Sequence, residues 1–99
     1  MATLHVLSHS PFADTRLPSC LRMLGPSDGL LLSGDAVYAL SPESTPWQML
    51  QERLCGDRLF VLEEDMSARN IQAPAGVTAV DYAGFVALSV RFDRVNSWL

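Results

Sequence analysis

The sequence has no lysine at all. That absence removes a Walker-type phosphate loop, whose lysine reaches the nucleotide phosphates, and every reaction that runs through a lysine Schiff base. Cysteine is nearly as scarce. Cys20 and Cys55 stand far apart without a CxxC pair, so neither a zinc site nor an internal redox couple is indicated, and no metal or cofactor is expected. No stretch approaches the roughly 18 apolar residues that cross a bilayer, and no basic segment leads into a long apolar run at the N-terminus. A cytoplasmic chain with reduced thiols and no membrane partner is the expectation. Positive charge is thin too: the seven basic residues, all arginine, face eleven carboxylates for a formal charge of -4. Phosphate contacts need clustered cations, so nucleic acid is expected to be reached only through a partner.

The 99 residues, 48% of them hydrophobic, suffice for one domain, residues 1–99, around a single core. Such a chain is short for an enzyme with a deep, enclosed site. Residues 4–7 form an apolar run closed by Ser8, His9, Ser10 and Pro11, which predicts a first buried strand. A helix follows, with Asp14 or Thr15 as its cap, Pro18 in its first turn, and Leu17, Leu21 and Leu24 as its buried stripe. Cys20 falls at the edge of that stripe, which predicts partial burial. Gly25 and Pro26 end the helix.

Residues 29–32 are apolar without alternation, as in a strand covered on both faces. Ser33, Gly34 and Asp35 form its polar exit, residues 36–40 can make one helical turn, and the proline-bearing stretch 41–46 reads as a loop. A helix is predicted over 47–54, entered through Pro46, with Cys55 in its last turn and Gly56 at its end. Residues 59–62 give a third strand, followed by the acidic run Glu63, Glu64, Asp65 and a short helix to Arg69. Asp65 and Arg69, four apart, read most simply as a solvated surface pair. A fourth strand spans 77–80, and Asp81 caps a helix reaching Phe92. That helix carries Tyr82, Phe85, Val86, Leu88 and Val90, more apolar surface than one side of a small domain absorbs, so something else must cover part of it.

Strands alternating with helices at this spacing imply βαβ units and an α/β fold: three layers, a mostly parallel sheet of about four to five strands, and helices on both faces. In such a sheet the loops after the strands share one rim, bringing together His9, Asp35, residues 63–65 and Asp81. No catalytic geometry is recognisable among them. A cysteine early on a helix beside that rim can act as a nucleophile, or can be a small buried hydrophobe, and the residues leave both readings open. His9 reads as an exposed loop histidine and Cys55 as a packing residue.

Several segments resemble one family in order and spacing across nearly the whole chain: LHVLSHSPF at the start, Cys20 within SCL, GDAVYAL after the second strand, EEDMSARN, VDYAGFV, and Trp98 near the end. The sequence is similar to the DsrH/TusB subunits of bacterial sulfur-relay complexes. The resemblance implies a DsrEFH-like fold and a heterohexamer with TusC/DsrF-like and TusD/DsrE-like subunits, which hands persulfide sulfur to a TusE/DsrC-like acceptor. It implies service in 2-thiolation of the tRNA wobble uridine or, in the DsrEFH branch, in sulfur oxidation. The principal sulfur-carrying cysteine then belongs to the TusD/DsrE-like subunit, so this chain is a non-catalytic or accessory subunit. Cys20 matches a cysteine of DsrH-type members, which implies an accessory persulfide carrier. His9, Asp35, Asp65, Arg69, Asp81, Phe85, Val86 and Trp98 are the candidate rim and interface residues.

Overall fold

The computed structural model of the protein describes residues 2–13, 15–54 and 58–98. Its elements run β1 (Thr3–Leu7), α1 (Arg16–Met23), β2 (Gly29–Leu32), a 3-10 helix (Gly34–Leu40), α2 (Thr45–Arg53), β3 (Leu59–Leu62), α3 (Glu63–Ala68), β4 (Thr78–Val80), α4 (Tyr82–Arg91) and β5 (Arg94–Trp98). The strands form one five-stranded sheet in the order β4-β3-β2-β1-β5, every pair parallel.

Strand order decides which face each helix covers. From β1 to β4 the chain steps in one direction across the sheet, and right-handed crossovers then keep every connection on one face. The return from β4 to β5 reverses direction and carries α4 to the other face. The two apolar clusters follow this division. On one face Leu17, Cys20, Leu21, Val37, Leu50 and Met66 pack on Leu7, Leu30, Leu32 and Val61; on the other, Leu88 and Phe92 pack on Leu4, Leu31, Phe60 and Leu62. Among the described residues one face is thus sealed by several elements and the other by α4 and the Phe92 that follows it.

Local chemistry sets the element ends. The Ser44 hydroxyl accepts from the Trp47 N–H at 3.2 Å, and Pro46 fits the first turn of α2, where its missing N–H costs nothing. Asp81 caps α4 by accepting from the Gly84 N–H at 2.7 Å. Thr15 precedes α1 but makes no side-chain cap bond, so its predicted capping role is not realised. The alternative cap, Asp14, and the predicted helix end at Cys55 and Gly56 lie outside the described residues. α3 closes with Asn70 at φ 55°, the Asn70 N–H bonded to the Ser67 carbonyl at 3.1 Å and the Ile71 N–H to the Met66 carbonyl at 3.0 Å. Those paired bonds are a Schellman closure, with asparagine in the left-handed position that glycine more often fills.

One expectation is corrected, and one strand carries no sequence signal. Cys20 is completely buried rather than half-buried at a stripe edge, because α1 packs against α2 as well as the sheet; the Arg53 Nη2 donates to the Leu21 carbonyl at 2.6 Å across that seam. The final strand β5 is not signalled by apolar alternation. Arg94, Val95, Asn96 and Ser97 are all exposed, and the strand exists by pairing with β1, from Thr3 beside Arg94 to Leu7 beside Trp98.

Candidate functional site

The rim at the carboxyl ends of the strands is tied into one network. The Arg69 guanidinium donates from Nε and Nη2 to Asp35 Oδ1 at 3.1 and 2.9 Å, and from Nη1 to the Asp65 backbone carbonyl at 3.1 Å. The Asp65 carboxylate accepts from the Gly34 N–H at 2.8 Å, and its own approach to Arg69 is the longer one at 3.9 Å. The pair predicted at i, i+4 is therefore secondary. Arg69 joins α3 to the 3-10 helix through Asp35, and Asp65 holds the turn that leaves β2. That turn favours glycine: Gly34 has φ 51°, and a Cβ there would sit 3.1 Å from the Ser8 carbonyl oxygen. Tyr38 lies under the Arg69 guanidinium, 6.0 Å from ring centroid to Cζ. Of the other predicted rim residues, His9 is exposed and takes no part in this network, while Asp81 is committed to capping α4. The arrangement ties the end of α3 to the turn that leaves β2 and to the start of the 3-10 helix.

Cys20 has no access to solvent. Burial, with the Asp28 carboxylate adding to it, pushes the thiol from an ordinary 9.0 up to about 12. A persulfide carrier needs the reverse: an accessible sulfur whose thiolate is favoured by nearby positive charge.

Asp28 belongs to a group that strand-and-helix reading missed. His5, in the middle of β1, is buried together with Asp28, just ahead of β2. His5 Nε2 lies 3.2 Å from Asp28 Oδ2, and the Trp98 indole N–H donates to His5 Nδ1 at 3.1 Å. Asp28 also accepts from the Thr3 N–H at 2.9 Å and the Gly25 N–H at 2.8 Å. Burial alone would raise its carboxyl, but those two backbone donors and His5 together hold it below the ordinary carboxylate value. A hollow of about 420 Å³ opens beside the group, bordered by His5, Asp28, Arg94 and Asn96. A signal was present in the sequence: a histidine inside an apolar strand must find a partner when buried, and the partner proves to be the aspartate ahead of the adjacent strand.

The third feature is the outer side of α4. Tyr82, Val86 and Val90 recur at every fourth position and form one stripe, with 53%, 61% and 82% of their surfaces exposed. Phe85 turns the other way and is half-buried against the sheet cluster, and Trp98 packs against the opposite cluster. Among the described residues no three His, Cys, Asp or Glu side chains gather as metal ligands would, and no helix is long and apolar enough to cross a membrane.

Comparison with known proteins gives a consistent answer. The family described as DsrH like protein matches residues 9–95. The chain is 36% identical to the protein named TusB of Erwinia tasmaniensis over 97 residues, which is 96% of this chain and 99% of that one. Its identity to Yersinia pestis TusB is 34% over the same spans. Among solved structures it matches the ychN protein of E. coli with a TM-score of 0.74 at 16% identity, covering 99% of this chain and 100% of that one, a likeness of fold.

Proposed function

The chain belongs to the DsrH family, and from that membership we propose that it is a non-catalytic subunit of a heterohexameric sulfur-relay complex acting in 2-thiolation of the tRNA wobble uridine. TusC/DsrF-like and TusD/DsrE-like chains are its partners; the transferred sulfur rides on a cysteine of the TusD-like chain and leaves to a TusE/DsrC-like acceptor. The name TusB on the curated relatives favours tRNA thiolation over sulfur oxidation.

The observation that carries the structural role is the stripe of Tyr82, Val86 and Val90, exposed on α4, the helix that among the described residues covers its face of the sheet. An apolar stripe of this kind fits the buried centre of a subunit interface better than a solvated surface. The state of Cys20 supports giving the chemistry to a partner chain. Its thiol is sealed and protonated at neutral pH, and the Asp28 carboxylate opposes a thiolate. Cys20 is accordingly a packing residue.

The test is sulfur transfer from a persulfide donor to the acceptor by the reconstituted complex, with Cys20→Ser beside the unmodified subunit and assembly followed by gel filtration. Equal rates at equal assembly support the reading. Loss of transfer from a fully assembled Cys20→Ser complex would make Cys20 a carrier.

A further inference from the structure

We propose that His5 is a protonation-controlled latch on the C-terminal strand: neutral, it holds Trp98 and seats the end of β5 against β1; protonated, it lets that end go. An indole N–H can only donate, so His5 Nδ1, 3.1 Å from Trp98 Nε1, must be the accepting nitrogen, and the single ring proton of neutral His5 sits on Nε2. From there it points to Asp28 Oδ2 at 3.2 Å. One proton on the ring satisfies both contacts.

A second proton changes the two sides unequally. It would occupy Nδ1 and set two N–H donors against each other across the Trp98 contact. On the other side, the bond to Asp28 becomes charge-assisted and survives. The charged and titratable groups around His5 are consistent with a change localised at Trp98. Asp28 is held by the Thr3 and Gly25 N–H groups in either state. Arg58 donates to the Gly25 and Asp28 carbonyls, Arg94 borders the hollow from β5, and Cys20 on α1 presents a neutral thiol. α4 packs on the opposite face of the sheet.

Beyond its backbone pairing with β1, the end of the strand has few side-chain contacts among the described residues. Arg94 through Ser97 are exposed, and Trp98 is the β5 side chain that reaches an apolar cluster. The start of β5 is pinned separately, because the Asp93 and Arg94 N–H groups donate to the Ala2 carbonyl at 2.9 and 3.3 Å and the Ala2 N–H donates to Asp93 Oδ2 at 2.9 Å. Release therefore pivots at residue 93 and frees residues 96–98. That uncovers the backbone edge of β1 beside His5, Val6 and Leu7, an edge competent to pair with another strand.

The experiment uses the full chain, labelled with 15N, from about pH 8 to about pH 5, the range in which histidine side chains change charge. The His5 ring nitrogens, the Trp98 indole N–H and amide protection, corrected for intrinsic exchange, are followed together. The proton is expected on Nε2 at the alkaline end. Acidification is expected to lower protection at the end of β5 and along β1 by about tenfold, the loss of roughly one hydrogen bond, with β3 unchanged. Trp98→Phe, which keeps a ring and removes the donor, is expected to show low protection there at every pH, and His9→Gln to behave as the unmodified chain. A proton on Nδ1, protection that does not vary with pH, an equal acid loss in Trp98→Phe, or abolition by His9→Gln would each overturn the latch.

Discussion

Cys20 in a Cys55→Ser background, where it is the remaining thiol, is predicted to resist a disulfide reagent at neutral pH far beyond an ordinary cysteine. The thiol is displaced from 9.0 to about 12, a difference that leaves about a thousandfold less thiolate at any pH well below 9. Complete burial adds a steric barrier, so labelling must wait for an opening of α1 from the sheet. Timed labelling of the folded chain, against the same chain in denaturant, is expected to show a slowing of at least about a thousandfold. The same displacement has a consequence for stability. Because the folded state keeps its proton up to about 12 while the unfolded thiol ionises near 9.0, the contribution is fully present below pH 9 and is lost as pH climbs from about 9 to about 12. At 1.36 kcal/mol per pH unit the loss is on the order of 4 kcal/mol across that window, and Cys20→Ala is expected not to show it. Folded-state labelling within about tenfold of the denatured rate would refute the burial argument and return Cys20 to the list of sulfur carriers.

Val86→Asp on the outer stripe of α4 is predicted to change the melting free energy by less than about 0.5 kcal/mol while abolishing co-purification with partner subunits, since the side chain is 61% exposed. Asp28→Asn replaces one of the two buried carboxylate oxygens, which together serve two backbone N–H groups and His5, with an N–H donor that opposes its partner, and is predicted to cost about 2 kcal/mol by denaturant melt at neutral pH. Since Asp28 is held below its ordinary value in the folded state, its contribution is present at neutral pH and is lost as pH falls through the acid range, so the variant is expected to be less acid-sensitive than the unmodified chain. Gly29→Ala places a Cβ 2.7 Å from the Phe92 ring, between two packed elements, and is predicted to cost about 1–3 kcal/mol. The lone subunit is predicted to give no gel shift with tRNA at low salt, because eleven carboxylates outnumber seven arginines.

The central strands β2 and β3 were legible to the residue, because a continuous apolar run bounded by polar turns has few other destinations in an α/β chain. The exposed stripe of α4 was legible for a related reason: a count of its apolar residues exceeds what one helix face can bury. β5 was not, since RVNSW is polar and its pairing partner lies at the other end of the chain, a relation that local pattern does not encode. The same distance hid the His5, Asp28 and Trp98 group, whose members are separated by 23 and 93 residues along the two bonds. Periodicity puts Cys20 at the edge of the stripe and half-buried, because it locates a residue on a helix but does not reveal that a second helix closes over that side. The i, i+4 spacing pairs Asp65 with Arg69, whereas its carboxylate answers a backbone N–H of a turn in the left-handed conformation that favours glycine.

The central claim is that this chain completes a larger complex through the outer face of α4. Native mass measurement after co-expression with TusC-like and TusD-like subunits tests it most directly, with a Val86→Asp, Val90→Asp double variant alongside. The account predicts a hexamer holding two copies of each chain, and a variant that remains folded but is missing from it. A chain that stays apart from both partners, or a double variant that assembles as fully as the unmodified chain, would contradict it.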